Sequence, residues 1–171
     1  LHVVYNGVNF SKFDIEKQPL ELPENKIDRP QGGTLKLVMV GNFVPVRAQS
    51  SECQFLKGLK DKGVNFDFYF VGRGSDAEPW RYDNCVRYCE ENGLKNVHFL
   101  GARADVPQIL KHVDAFVYGT DHDTFGIAVI EAVAAGLPTF VNDWEVMTEV
   151  TQNGKLATLY KTNDTEDFCE K

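Results

Sequence analysis

Asp123 and Glu131 stand with seven residues between them, and the run Asp123-Thr124-Phe125-Gly126-Ile127-Ala128-Val129-Ile130-Glu131-Ala132 turns from polar to apolar at Phe125. This is the pattern of a short polar loop that opens an amphipathic helix, with the second acid about two turns in. The first backbone N–H groups of such a helix have no partners within it and point toward the loop, where they suit an anion. Gly126 carries no Cβ, so a phosphate can approach its backbone closely. Helical side chains lean toward the N-terminus, which tilts Glu131 back toward the same opening. A carboxylate placed there can accept hydrogen bonds from paired hydroxyls such as those of a ribose. The same residues also suit plainer roles, Asp123 or Thr124 as a helix N-cap and Glu131 as a solvated helix residue.

The elements that must position these residues follow from hydrophobic periodicity. Apolar, β-rich runs predict strands at 35–40, 66–71, 97–100, 115–118, 139–141 and 156–159, with residues 66–71 alternating most strictly. Helical patterns fall between them at about 48–62, 79–92 and 104–112, after residue 125, and from about residue 164. Strict alternation of strand and helix predicts an α/β, Rossmann-like doubly wound domain with a parallel sheet. Ligands of such sheets bind beyond the C-terminal ends of the strands. The loops there are 41–47, 72–78, 101–104 and 119–125, and the acid run occupies the last of them.

The run from Asp123 to Ala132 resembles the acid-x7-acid signature of retaining glycosyltransferases with the GT-B fold, of the group 1 or family 4 type. Members of that family often read Glu-Gly-Phe-Gly, four residues, then Glu-Ala. Here Asp123 replaces the first Glu and Thr124 the Gly. The resemblance implies that Asp123 faces the donor sugar and that Glu131 binds the ribose. It implies further that the backbone around Thr124, Phe125, Gly126 and Ile127 faces the diphosphate. In the loop after the first strand the family tends to read Gly-Arg, then Lys-Gly five residues on, with both cations on the diphosphate. This chain has Gly41-Asn42 and then Arg47-Ala48, so one cation of two remains. Arg47 can hold a pyrophosphate by a bidentate contact; the plain alternative is a solvated arginine at a helix start. The resemblance makes residues 72–74 and 100–103 base-side walls, with Gly72, Arg73, Gly74, Leu100 and Arg103 as candidates. Gly72-Arg73-Gly74 lacks the third glycine of a dinucleotide fingerprint.

His2-Val3-Val4-Tyr5-Asn6-Gly7-Val8-Asn9, with Phe13, is similar to the segment by which family members pass into their second domain. The implied layout is an interdomain and surface connection over 1–33 and a nucleotide-sugar-binding domain over 34–171, the C-terminal half of a GT-B fold. The N-terminal acceptor domain and the C-terminal crossing helix are expected to lie outside this chain, which would then be the inactive donor-binding part of a hexosyltransferase. The substrate would be a UDP-, GDP- or ADP-sugar, with no cofactor. Two other readings stay open: a degenerate nucleotide-binding or protein-interaction module, and an epimerase or phosphorylase of the same fold.

Composition bounds these readings. A length of 171 with 43% hydrophobic residues suits one core. A net charge of -7 argues against nucleic acid as a partner. No apolar run approaches the ~20 residues that span a bilayer, and no secretion signal opens the chain. A cytoplasmic location is expected, with membrane contact only through sequence outside these residues. Cys53, Cys85, Cys89 and Cys169 lack zinc-site spacing and read as free thiols. Asp121-His122-Asp123 matches an acid-x-acid metal pattern, but it lies directly before a helix end that neutralises phosphate itself, and no metal is expected there. His2, His98 and His112 read as structural or solvated.

Overall fold

The computed structural model describes residues 7–24 and 33–171; residues 1–6 and 25–32 of the connecting segment lie outside the described residues. Runs rich in β-branched and aromatic residues form six strands: β1 (Leu35–Val40), β2 (Phe66–Val71), β3 (Val97–Gly101), β4 (Ala115–Tyr118), β5 (Thr139–Asn142) and β6 (Thr158–Tyr160). They alternate with α1 (Gln49–Asp61), α2 (Trp80–Glu91), α3 (Val106–Leu110), α4 (Ile127–Ala134), α5 (Glu145–Val150) and α6 (Thr165–Glu170). All the strand pairs are parallel, and the order across the sheet is β3-β2-β1-β4-β5-β6. This is the doubly wound α/β architecture expected from the alternation.

β1 lies at the centre, where Leu37 pairs with Phe68 of β2 on one side and Ala115 of β4 on the other. The chain winds outward through β2 and β3, then returns to the middle for β4 and winds out the other way. The loops after β1 and β4 therefore part at the point where strand order reverses, which leaves a crevice. Residues 66–71 have the alternation of a half-buried strand, yet all six are buried. A central parallel strand is covered on both faces. Asp67 is accommodated because His98 Nε2 stands 3.1 Å from its carboxylate, which gives that histidine a structural role. β6 begins two residues later than the apolar run that starts at Leu156. Gln152, Asn153 and Gly154 all take positive φ, and the Leu156 N–H closes the turn onto the Thr151 carbonyl at 3.1 Å.

α1 buries Cys53, Leu56 and Leu59 at helical spacing and lies against α2 and α6, where Phe55 stacks on Phe168 at 4.9 Å. Its buried stripe also holds a carboxyl group. Glu52 has no exposure; the Tyr160 hydroxyl donates to its Oε1 at 2.6 Å, and Oε2 has no partner. Burial, opposed by the Tyr160 hydrogen bond, pushes its pKa up to about 8. Among the described residues no helix is long and apolar enough to cross a membrane.

Candidate functional site

The loop after β1 is fixed by backbone contacts on both sides. Gly41 N–H donates to the Val71 carbonyl at 2.8 Å and Phe43 N–H to the Arg73 carbonyl at 2.9 Å. Asn42 Oδ1 accepts from the Arg73 N–H at 3.1 Å, so this side chain braces the next loop. Gln49, buried at the start of α1, donates from Nε2 to the carbonyls of Gly41 and Asn42. The two loops approach so closely that a Cβ on Gly72 would stand 2.1 Å from the Gly41 carbonyl oxygen. Only glycine fits there.

The loop after β4 is tied to the same segment. Arg47 and Thr120 form an antiparallel bridge, and the Thr120 hydroxyl donates to the Val46 carbonyl at 2.6 Å. Asn142, from the end of β5, exchanges two hydrogen bonds with the Thr120 backbone. This frame sets Arg47 against Asp123, with NH1 2.8 Å from Oδ2. A cation near the N-terminus of α1 is disfavoured unless an anion is near, and Asp123 supplies one. Tyr118, fully buried at the end of β4, donates its hydroxyl to Asp123 Oδ2, while its ring lies 5.2 Å from the Arg47 guanidinium carbon. Asp123 Oδ1 accepts from the N–H groups of Thr124 at 2.7 Å and Phe125 at 3.3 Å. Burial acts to raise the Asp123 pKa. The Tyr118 hydrogen bond, the Arg47 charge and the two N–H groups outweigh that and hold it below the usual carboxylate range.

α4 begins one residue past Gly126, which takes the left-handed conformation at φ 74 as the N-cap. The missing Cβ, expected to open this backbone to a ligand, also suits the left-handed turn itself. A Cβ on Gly126 would stand 2.7 Å from Met147 Cε, so glycine serves the turn and the packing of α5 beneath it. Gly126→Ala is therefore expected to destabilise the fold by roughly 1–3 kcal/mol, read from chemical denaturation. The N–H groups of Gly126, Ile127 and Ala128 have no acceptor among the described residues. Glu131, one turn on and half-buried, likewise makes no hydrogen bond or ion pair there. Burial raises its pKa, opposed by the Lys12 charge.

These groups share one cleft of ≈ 490 Å³. It gathers Gly41, Asn42, Arg47, Gly72, Arg103, Asp123, Thr124, Phe125, Gly126, Ile127 and Glu131 of the residues expected from sequence. The family model for glycosyl transferases group 1 matches residues 23–171. The chain belongs to that family.

An N,N'-diacetylbacillosaminyl-diphospho-undecaprenol alpha-1,3-N-acetylgalactosaminyltransferase of Campylobacter jejuni is 34% identical over 170 residues, which is 96% of this chain and 42% of that protein. The chain thus spans less than half the length of this relative. The C-terminal domain of a group 1 glycosyl transferase, LpcC of Francisella tularensis, superposes with a TM-score of 0.73 at 14% identity, over 96% of this chain and 85% of that one. HepE of Anabaena, solved in complex with UDP and glucose, superposes with a TM-score of 0.72 at 19% identity, over 80% and 37% respectively. The group 1 glycosyltransferase fold is therefore the GT-B type expected from the acid run.

Within this glycosyltransferase domain three expected residues do not line the cleft. Arg73 is exposed and contributes only backbone to the loop brace. Gly74 packs against Tyr82 and bridges Phe43, and Leu100 stays within β3. That side of the cleft is lined instead by Gly72, Ala102, Arg103 and Val106, with Arg103 held by Asp105 at 2.6 Å. His122 lies beside the site but turns its ring toward Trp144, 5.4 Å away. Sequence reasoning missed Gln49 and Tyr118. A buried strand tyrosine and a polar residue at a helix start carry no motif, and only the crossing of β1 with β4 gives them work.

Proposed function

We propose that this chain is the donor-binding half of a retaining GT-B hexosyltransferase and that the cleft holds a nucleoside-diphosphate sugar. The observation that carries the reading is the pairing, in one cleft, of three unspent N–H groups at Gly126, Ile127 and Ala128 with an unpartnered, half-buried Glu131. The N–H groups and Arg47 take the diphosphate; as the sugar–phosphate bond breaks, they stabilise the charge on the departing group. Glu131 takes the ribose hydroxyls, and the base lies against Gly72, Ala102 and Val106. The nucleotide sugar is substrate, with neither metal nor cofactor assigned. Retention is supported by the likeness of the acid run to the retaining signature. The Campylobacter relative, named for a sugar carried on diphospho-undecaprenol, supports a lipid-linked acceptor. This reading places the full enzyme in the cytoplasm at the membrane surface, with an acceptor domain outside these residues.

Calorimetry with UDP, GDP and ADP tests the reading. At least one is expected to bind, and Glu131→Ala is expected to weaken it about tenfold, since hydroxyls lose a charged acceptor. Because burial raises the Glu131 pKa, affinity falls on acidification earlier than for an ordinary glutamate, and Glu131→Gln flattens that fall. No binding by any of the three diphosphates defeats the proposal. A module that binds nucleotide without transfer is favoured only by Asn42, which spends its side chain on the Arg73 backbone where the family tends to offer a cation. Sugar transfer by the full-length protein excludes it.

A further inference from the structure

Three hydrogen bonds and an ion pair hold the Asp123 carboxylate from inside the protein. Oδ1 takes the Thr124 and Phe125 N–H groups; Oδ2 takes the Tyr118 hydroxyl and lies 2.8 Å from Arg47 NH1. The Asp123 side chain is only 9% exposed. Tyr118 touches both members of the ion pair, ring against guanidinium and hydroxyl against carboxylate.

We propose that Tyr118 and Asp123 are positioning residues, which hold Arg47 and the turn before α4 in the arrangement that receives a diphosphate. This rests on the reading of the cleft as a diphosphate site. The physical reason lies in how Oδ2 divides its charge. While the phenol donates to it, that oxygen shares its negative charge between a neutral donor and Arg47, which leaves the guanidinium electrostatically available. Without the phenol, the whole charge falls on Arg47 and draws it away from a ligand. Neither Nε nor NH1 of Arg47 makes a hydrogen bond, so charge attraction to Asp123 and the ring contact hold these nitrogens in place. That ring contact is of the cation–π type and favours one guanidinium position. Burial raises the Tyr118 pKa, so the phenol remains a donor at any working pH.

The test compares wild type, Tyr118→Phe and Asp123→Asn of the 171-residue chain, titrated with UDP, uridine and UDP-glucose. Tyr118→Phe keeps the ring and is expected to weaken UDP about fivefold to tenfold while uridine changes less than about twofold. Asp123→Asn is expected to weaken UDP and UDP-glucose by the same factor. A loss confined to UDP-glucose would overturn the proposal, because it would put Asp123 on the sugar. A second readout needs no nucleotide. Solvent exchange of the Arg47 Nε–H, followed by NMR, is expected to speed up about tenfold in Tyr118→Phe, as restraint of the guanidinium is lost. Unchanged exchange defeats the positioning role whatever UDP does. Faster exchange in a chain that binds none of UDP, GDP and ADP supports the positioning role and defeats only the diphosphate assignment.

Discussion

Arg47→Ala is expected to weaken a nucleoside diphosphate roughly tenfold to a hundredfold and to leave the bare nucleoside nearly unaffected, as measured by calorimetry with UDP and uridine. A charge-assisted contact of ~1.5–3 kcal/mol accounts for that range. The upper end is the better expectation here, because removing Arg47 does more than delete a donor. It strips Asp123 of its counter-ion and leaves an unneutralised negative charge in the cleft. The double variant Arg47→Ala with Asp123→Asn then binds UDP more tightly than Arg47→Ala alone, which separates repulsion from lost attraction. Equal losses for UDP and uridine would mean that the fold, not the phosphate contact, had failed.

Replacing Glu52 by glutamine is expected to stabilise the chain at pH 8 by about 3–5 kcal/mol, while the two proteins converge near pH 4.5. Glu52 carries a pKa of about 8 in the folded state against an ordinary value of 4.5. Between those values the unfolded chain has lost the proton that the folded chain keeps. Unfolding is then favoured by a further ~1.4 kcal/mol for each pH unit gained, until the folded carboxyl also ionises. Below 4.5 both states hold the proton and the penalty is absent. Glutamine does not titrate, and its carbonyl still accepts from Tyr160. Urea denaturation at several pH values measures the difference; parallel stability profiles for wild type and Glu52→Gln would place the Glu52 pKa at its ordinary value.

Local patterns made the strands and helices legible, because alternation and helical spacing are set by neighbours in the chain. The start of α4 at Ile127 and the cap of α6 at Asp164 lie within a residue or two of their sequence signals. What could not be read is what depends on strand order. Arg47 and Asp123 become an ion pair only because β4 returns to the flank of β1. Nothing in either loop announces the other. Tyr118 reads as core until its hydroxyl is seen to end at Asp123 rather than in apolar packing. Asn42 reads as a missing cation, while the fold uses it to join two loops. Gly126 was legible as a place of close approach, but its neighbour Met147 was not, since that residue belongs to an element whose place the local pattern does not give.

The closeness of Gly41 and Gly72 bears on how this cleft can change over generations of mutation. Where two backbones nearly touch, no side chain can be introduced at Gly72 to reshape the floor. Variation in ligand preference is thereby channelled to its neighbours along the same wall. Ala102 and Arg103 there are exposed, Val106 is half-buried, and each carries a Cβ that can be lengthened or trimmed without disturbing the sheet. A library confined to these three positions would sample new preferences with little loss of folded protein, whereas the same diversity at position 72 would mostly be lost to unfolded chains.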